Sequence, residues 1–215
     1  MRTMITDSDT GSSARRTESG FMKLLDKIIR IATAPNVMAM LLTTMLYVKG
    51  GTAAFVDRFH YAEAMFTLGI LPITAYILCG CIPPLRKKGR KFERTLAIVF
   101  SVLGYIMGTA FAVLGGGTML ELTLFFTYLI SGILTALCSF VFKFKASGHT
   151  CGVSGPAAMM SCYFGPWWMM MFLILIPVSL SSIRLGRHTR FQLVAGAVIP
   201  VLALFIAMRI AELIA

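Results

Sequence analysis

The amino-acid sequence predicts an all-α fold: a polytopic transmembrane helical bundle of six to seven spans with a short N-terminal interfacial amphipathic helix. Three observations carry that expectation. Of 215 residues, 57% are hydrophobic and only 13% are charged, far from the soluble globular average. Mean hydropathy is +0.81, and several nearly uncharged runs reach the roughly 20 residues that a bilayer-spanning helix needs. The cations gather in short islands between those runs instead of spreading along them. A net charge of +11 suits anionic partners. A nucleic-acid binder would carry such charge on a soluble domain with base-reading elements. Cations that punctuate apolar segments point instead to membrane lipids and phosphate groups, with no nucleic acid.

Residues 1–20 are polar, rich in Ser and Thr and without hydrophobic periodicity, and are expected to form a disordered leader. A single transmembrane domain over 21–215 follows. In its first piece, Phe21, Met22, Leu24, Leu25, Ile28, Ile29 and Ile31 fall at helical spacing against Lys23, Asp26, Lys27 and Arg30. That is the pattern of a helix lying in the headgroup layer. Seven apolar segments come next, at about 31–48, 61–82, 95–114, 118–142, 150–164, 166–183 and 191–213. Gly115, Gly116 and Gly117 read as a tight turn between the third and fourth, and Gly165-Pro166 as one between the fifth and sixth. The fifth rises only about 22 Å against a hydrocarbon core of about 30 Å. It is expected to begin part-way into the membrane, at the floor of a pocket. No cleavable secretory signal is expected, because the first apolar run follows a polar leader and is itself followed by more spans. The five cysteines, Cys79, Cys81, Cys138, Cys151 and Cys162, include no C-x-x-C pair and read as small buried hydrophobes.

Three basic islands, Arg86–Arg94, Lys143–His149 and Arg184–Arg190, are separated from one another by two segments each. Two crossings return the chain to the same side, so all three are expected on one face. Seven spans would put the N-terminus on that face and the C-terminus opposite. Seventeen of the twenty Lys and Arg residues fall there, six in the leader and first helix and eleven in the islands. That surplus makes it the expected cytoplasmic face of a cell membrane, with the external face as the alternative because site residues are basic for chemical reasons.

In the third island Arg184, His188 and Gln192 are spaced i, i+4, i+8, one stripe on a helix. The Gln192 amide oxygen is expected to engage one ring nitrogen of His188, setting the tautomer and freeing the other nitrogen. That is the orienter–nucleophile arrangement of covalent catalysis. Arg184, one turn away, is expected to hold a phosphate through paired hydrogen bonds. A histidine flanked by arginines at a membrane boundary also occurs as a plain interfacial residue, so this stripe alone does not decide. In the second island Ser147 and Gly148 can present a hydroxyl and backbone N–H groups to an anion at a helix start. His149 beside them is placed to protonate a leaving oxygen, while Ser147 equally suits a simple N-cap. In the first island Lys87 and Arg94, seven residues apart, share a face if helical; a charge run contacting anionic lipid is the alternative.

Taken together the islands resemble the type 2 phosphatidic acid phosphatase superfamily of membrane phosphatases and their haloperoxidase relatives. That family's pattern is K-x6-R-P, then P-S-G-H, then S-R-x5-H-x3-D. This chain reads Lys87-x6-Arg94-Thr95, then Ala146-Ser147-Gly148-His149, then Ser181-Ser182-x5-His188-x3-Gln192. The resemblance covers about residues 87–200. It implies His188 as a nucleophile forming a phosphohistidine, and His149 as the group that protonates the departing alcohol and then activates water. It implies Lys87, Arg94, Ser147 and the Gly148 backbone as phosphate-binding groups, with no metal and no cofactor. Two departures stand out. Ser182 occupies the place of the third motif's arginine, and Arg184, two residues on, lies about 200° further around a helix. Gln192 replaces an aspartate, keeping the tautomer but giving less stabilisation of the histidine cation.

The expected substrate is a lipid phosphate: phosphatidate, phosphatidylglycerol phosphate or a polyprenyl diphosphate. The alternative is a degenerate, non-catalytic member that binds or moves anionic lipids, for which Ser182 speaks. A transporter would show inverted repeats or broken mid-membrane helices, and no internal repeat is present. Trp167, Trp168 and Tyr163 read as an aromatic belt; Met159, Met160 and Met169 to Met171 read as packing. His60 falls on the face opposite the islands with no catalytic role. Glu121, and Arg209 with Glu212, read as interfacial residues or a local ion pair.

Overall fold

A computed structural model describes the backbone of residues 9–214 and the side chains of residues 20–214. Every regular element among the described residues is helical. Eight helices follow in order: α1 (Asp9–Ala32), α2 (Pro35–Gly50), α3 (Arg58–Cys81), α4 (Gly89–Leu114), α5 (Met119–Phe140), α6 (Gly148–Phe164), α7 (Pro166–Arg184) and α8 (Arg190–Ile214). Each expected apolar segment is therefore helical. Five of them, α3, α4, α5, α7 and α8, are long and apolar enough to cross a membrane. The 49° bend between α1 and α2 leaves a sixth crossing if that pair is one broken span.

The outward faces are apolar. On α4, Ile98, Val102, Ile106 and Val113 are all exposed, a stripe that water would not tolerate and lipid would. Polar side chains inside the apolar helices answer to their own backbone. Thr43 donates to the Ala39 carbonyl at 2.9 Å and Thr127 to the Thr123 carbonyl at 2.6 Å, which removes the cost of an open hydroxyl in hydrocarbon. The main core joins Leu42 and Leu46 of α2, Leu68 of α3, Phe125 of α5, Met159 and Met160 of α6 and Leu204 of α8.

The short α6 lies at the centre, buried from Gly152 through Met160. Its small residues allow this. A β-carbon at Gly152 would meet the Pro35 Cα at 2.8 Å, and one at Gly196 of α8 would collide with Ser147 and Thr150. Hydroxyls then stitch α6 to α8, with Ser154 donating to the Ala197 carbonyl at 2.8 Å and Thr150 to that of Leu193 at 3.1 Å. Close helix approach with hydroxyl cross-links is the usual solution where lipid supplies no hydrophobic drive.

Local breaks shape the bundle. Ala34, pushed extended by the following Pro35, ends α1 and starts α2 at a bend. In α3 a π-type turn over Met65–Ile70, where the Leu71 N–H reaches back to the Phe66 carbonyl, precedes Pro72. A widened turn relieves the clash a proline ring makes with the carbonyl four residues earlier. The expected turns are present, with Gly116 at φ +68° and Gly165 at φ +105°.

Three expectations can be set against the structure here. Helix α1 starts at Asp9, so the described backbone is helical over 9–20, within the stretch read from sequence as a polar leader. A nucleated helix extends at little cost through good formers such as Ala14 and Glu18. Residues 1–8 of that leader lie outside the described residues. Lys87 and Arg94 do not share a helix face, because Gly89 at φ +75° breaks the chain between a short turn at Pro83–Arg86 and α4. Glu121, expected as an interfacial residue or in an ion pair, is fully buried and paired, though with the distant His60, whose Nδ1 lies 2.9 and 3.0 Å from its two carboxylate oxygens.

Candidate functional site

One cavity of about 790 Å³ collects residues from all three basic islands and from α1. Arg90, Glu93 and Arg94 come from the first turns of α4. Lys145, Gly148 and His149 come from the approach to α6, and Arg187 and His188 from the link between α7 and α8. Arg30 enters from α1.

His188 precedes a reciprocal cap on α8. The Gln192 N–H donates to Thr189 Oγ1 at 3.4 Å, and Gln192 Oε1 accepts the Thr189 N–H at 3.2 Å, the capping-box pattern with Gln at the third helical position. The same Oε1 takes a hydrogen bond from His188 Nδ1 at 3.0 Å. An atom that receives the Thr189 N–H must be the amide oxygen, so His188 carries its proton on Nδ1 and keeps Nε2 as its free nitrogen. Burial, above all, pushes the His188 pKa down. The Gln192 bond raises it, and Lys145, Arg30 and Arg187 lower it further.

His149 is held differently. The Ser147 hydroxyl caps α6, accepting the Thr150 N–H at 3.5 Å, and the Ser147 N–H donates to the Gln192 carbonyl at 3.0 Å. That ties the start of α6 to the start of α8 and sets the two histidines on one cavity. The His149 Nδ1 donates at 3.1 Å to the Thr33 carbonyl, beside the α1–α2 bend. Its Nε2 lies 2.9 Å from Arg30 Nη2. Arginine only donates, so Nε2 is an acceptor and the ring is neutral. Burial first, then the Arg30 charge, push the His149 pKa down to about 4.

Five cations line the cavity, Arg30, Arg90, Arg94, Lys145 and Arg187. Among the described residues none of them is in an ion pair, and Glu93 is the one acid on the wall. Uncompensated positive charge around two neutral imidazoles favours a multiply charged anion. A second pocket of about 450 Å³ adjoins it, sharing Pro35, Ile98, Ser101, Tyr105, Lys145 and Gly148. Its remaining wall is chiefly apolar, including Leu42, Val102, Met159 and Pro200.

Of the expected site residues, His149, His188, Arg94 and Gly148 meet on this cavity, with Gln192 behind His188. Ser147 is buried as the cap. Lys87 stays exposed at the end of the Pro83–Arg86 turn, outside the cavity wall. Arg184 also points elsewhere: its Nη2 donates to Asp26 Oδ1 of α1 at 2.6 Å. Ser182 is buried with its hydroxyl unpartnered. Arg30, Arg90, Lys145 and Arg187 were not expected as site residues. Arg187, next to His188, was open to that reading; Arg30 was hidden in the amphipathic pattern of α1. Comparisons with protein-family models, with curated proteins and with solved structures find no match to this chain.

Proposed function

We propose that this chain is an integral-membrane lipid phosphate phosphatase of the type 2 phosphatidic acid phosphatase superfamily, acting through a phosphohistidine without a metal. The observation that carries this reading is the pairing of two neutral histidines with five cations that make no ion pair among the described residues, on a cavity that adjoins an apolar pocket. An amphiphile with a phosphate head and a hydrocarbon tail matches both halves. In the reaction, His188 Nε2 attacks phosphorus as the bond from phosphorus to the lipid oxygen breaks. His149, protonated at Nε2 in the substrate complex, gives that proton to the departing oxygen. Water then attacks the phosphohistidine, passes its proton to His149, and inorganic phosphate leaves. Arg94, the Gly148 backbone and the other cavity cations hold the phosphoryl oxygens.

The chain is a multi-pass protein of six to seven spans in a cell membrane, with the bent α1–α2 pair supplying one crossing and the site on the cytoplasmic face. Membrane lipids are its surroundings and a lipid phosphate its substrate, with no nucleic acid. The buried Ser182 and the engaged Arg184 favour a second reading, a non-catalytic member that binds anionic lipid.

Phosphate release from phosphatidate, phosphatidylglycerol phosphate and a polyprenyl diphosphate, in detergent with EDTA, separates these readings. Hydrolysis that persists in EDTA and disappears in His188→Ala is expected. Hydrolysis that survives His188→Ala sinks the mechanism, and lipid binding without any turnover transfers the case to the second reading.

A further inference from the structure

We infer that Arg30 of α1 supplies a phosphate-binding guanidinium to this cavity, and that it exchanges its bond to His149 for bonds to a phosphate monoester. The inference deepens the reading of this cavity as a phosphate site and depends on it.

Helix α1 is turned so that its apolar residues Phe21, Leu24, Leu25, Ile28 and Ile31 face outward while Asp26 is buried against the bundle. Asp26 is what fixes that rotation. Its carboxylate takes the Arg184 guanidinium at 2.6 Å, and its backbone carbonyl takes the Ser181 hydroxyl at 3.4 Å. Arg30 lies four residues after Asp26 and so shares its helix face. Anchoring Asp26 on α7 therefore delivers Arg30 to the cavity. Arg184 thus acts through Asp26 and not on the cavity itself, where its spacing from Ser182 would have pointed it off axis.

The Arg30 guanidinium is only half used. Nη2 donates to His149 Nε2 at 2.9 Å, while Nη1 is buried with no partner among the described residues. A buried donor left open beside a neutral acceptor is poised for something better, and a phosphate dianion presents oxygens that a guanidinium engages two at a time. A forked guanidinium–phosphate pair sets two opposite charges together through parallel bonds, which the single bond to a neutral ring does not. Phosphate entry therefore draws Arg30 off His149. That frees Nε2 to accept the proton it later donates, while Nδ1 stays on the Thr33 carbonyl. One arginine thereby couples phosphate binding to arming of the acid.

The test uses the full chain in detergent. Inorganic phosphate and phosphatidate in mixed micelles are the two ligands, and the NMR titration of the His149 ring is the second readout. Wild type should bind inorganic phosphate with a rise in the His149 pKa of one unit or more. Arg30→Ala should weaken phosphate binding at least tenfold, raise KM for phosphatidate by a similar factor, and start with a higher His149 pKa in the empty state. Arg30→Lys, which keeps the charge but not the fork, should recover part of the binding; it decides the matter if Arg30→Ala does not fold. Unchanged phosphate affinity in a folded Arg30→Ala or Arg30→Lys protein overturns the inference while leaving the phosphatase reading intact. Arg30-dependent binding of free phosphate in a protein that hydrolyses no lipid phosphate keeps the binding role and removes the phosphatase reading. An Arg30 effect seen with phosphatidate but not with inorganic phosphate assigns Arg30 to another part of the lipid, and also overturns the inference.

Discussion

Asp26 on α1 and Arg184 at the end of α7 face each other at 2.6 Å, and Asp26 is 3% exposed although it sits in the most amphipathic stretch of the chain. The pair holds α1, whose Phe21, Leu24, Leu25, Ile28 and Ile31 face outward, against the bundle. Asp26→Asn keeps the size and one acceptor but removes the charge. Because the Arg184 side chain is 41% exposed, solvent screening limits the loss to about 1 kcal/mol. The expected outcome is a folded protein whose α1 is cleaved faster by trypsin at Lys23 and Lys27, with an unchanged cleavage pattern elsewhere. Equal protection of α1 in Asp26→Asn and wild type would show that its apolar contacts alone hold it.

Gln192 both caps α8 and orients His188, and the two roles separate experimentally. Gln192→Ala loses the capping contact, worth about 1 kcal/mol, and lets the His188 ring turn, lowering kcat on the order of 10²-fold or more. Gln192→Glu keeps the cap and adds a negative charge at His188 Nδ1. The ring is at present biased toward its neutral form by burial. A carboxylate favours the imidazolium, so the His188 pKa rises. In the proposed mechanism attack requires neutral Nε2, so the acid limb of the pH–rate profile should move to higher pH. A profile that stays in place in Gln192→Glu would mean that His188 is not the group it reports.

His149 gives stability a pH dependence of defined sign. The folded ring stays neutral down to about pH 4, whereas in the unfolded chain it protonates near the ordinary 6.5. Between these values the unfolded state binds more protons, so stability falls as pH drops from about 6.5 to about 4 and is flat above that window. The loss should total about 3 kcal/mol. Thermal unfolding in detergent, measured against pH, should show this slope in wild type and a shallower one in His149→Gln. Identical slopes would remove His149 from the balance.

Much of this architecture was legible in the chain because lipid is an undemanding reader of sequence. Every apolar run became a helix, and Gly116 and Gly165 turned where expected. The Ser147 cap and the Gln192–His188 bond follow from spacings short enough to be local. What failed was inference across a break or between helices. Lys87 was expected beside Arg94 until the positive φ of Gly89 separated them. Arg184 was expected at the cavity, but Asp26, 158 residues away, competes for it. Arg30 was missed because an amphipathic pattern is normally read with its apolar side toward the protein. In α1 Phe21, Leu24, Leu25, Ile28 and Ile31 face outward, and Asp26 and Arg30 dock on the bundle together with Ile29. Periodicity gives the face; only the surroundings say which face is inside.

The buried His60–Glu121 pair, at the end of α3 away from the islands, should matter to stability and not to the site. Glu121 is fully buried on α5, and both its oxygens lie within 3.0 Å of His60 Nδ1. Removing one partner strands the other in an apolar setting, which costs about 3–5 kcal/mol. Glu121→Ala and His60→Ala should each lower the unfolding midpoint strongly, whereas Glu121→Gln, which keeps an acceptor for Nδ1, should cost less. Since each single change already breaks the same bond, the double variant should lose less than the sum of the singles. At a temperature where Glu121→Gln remains folded, phosphate binding should equal that of wild type. Additive losses would show that the two residues act independently, and an altered phosphate affinity would tie this end of the bundle to the site.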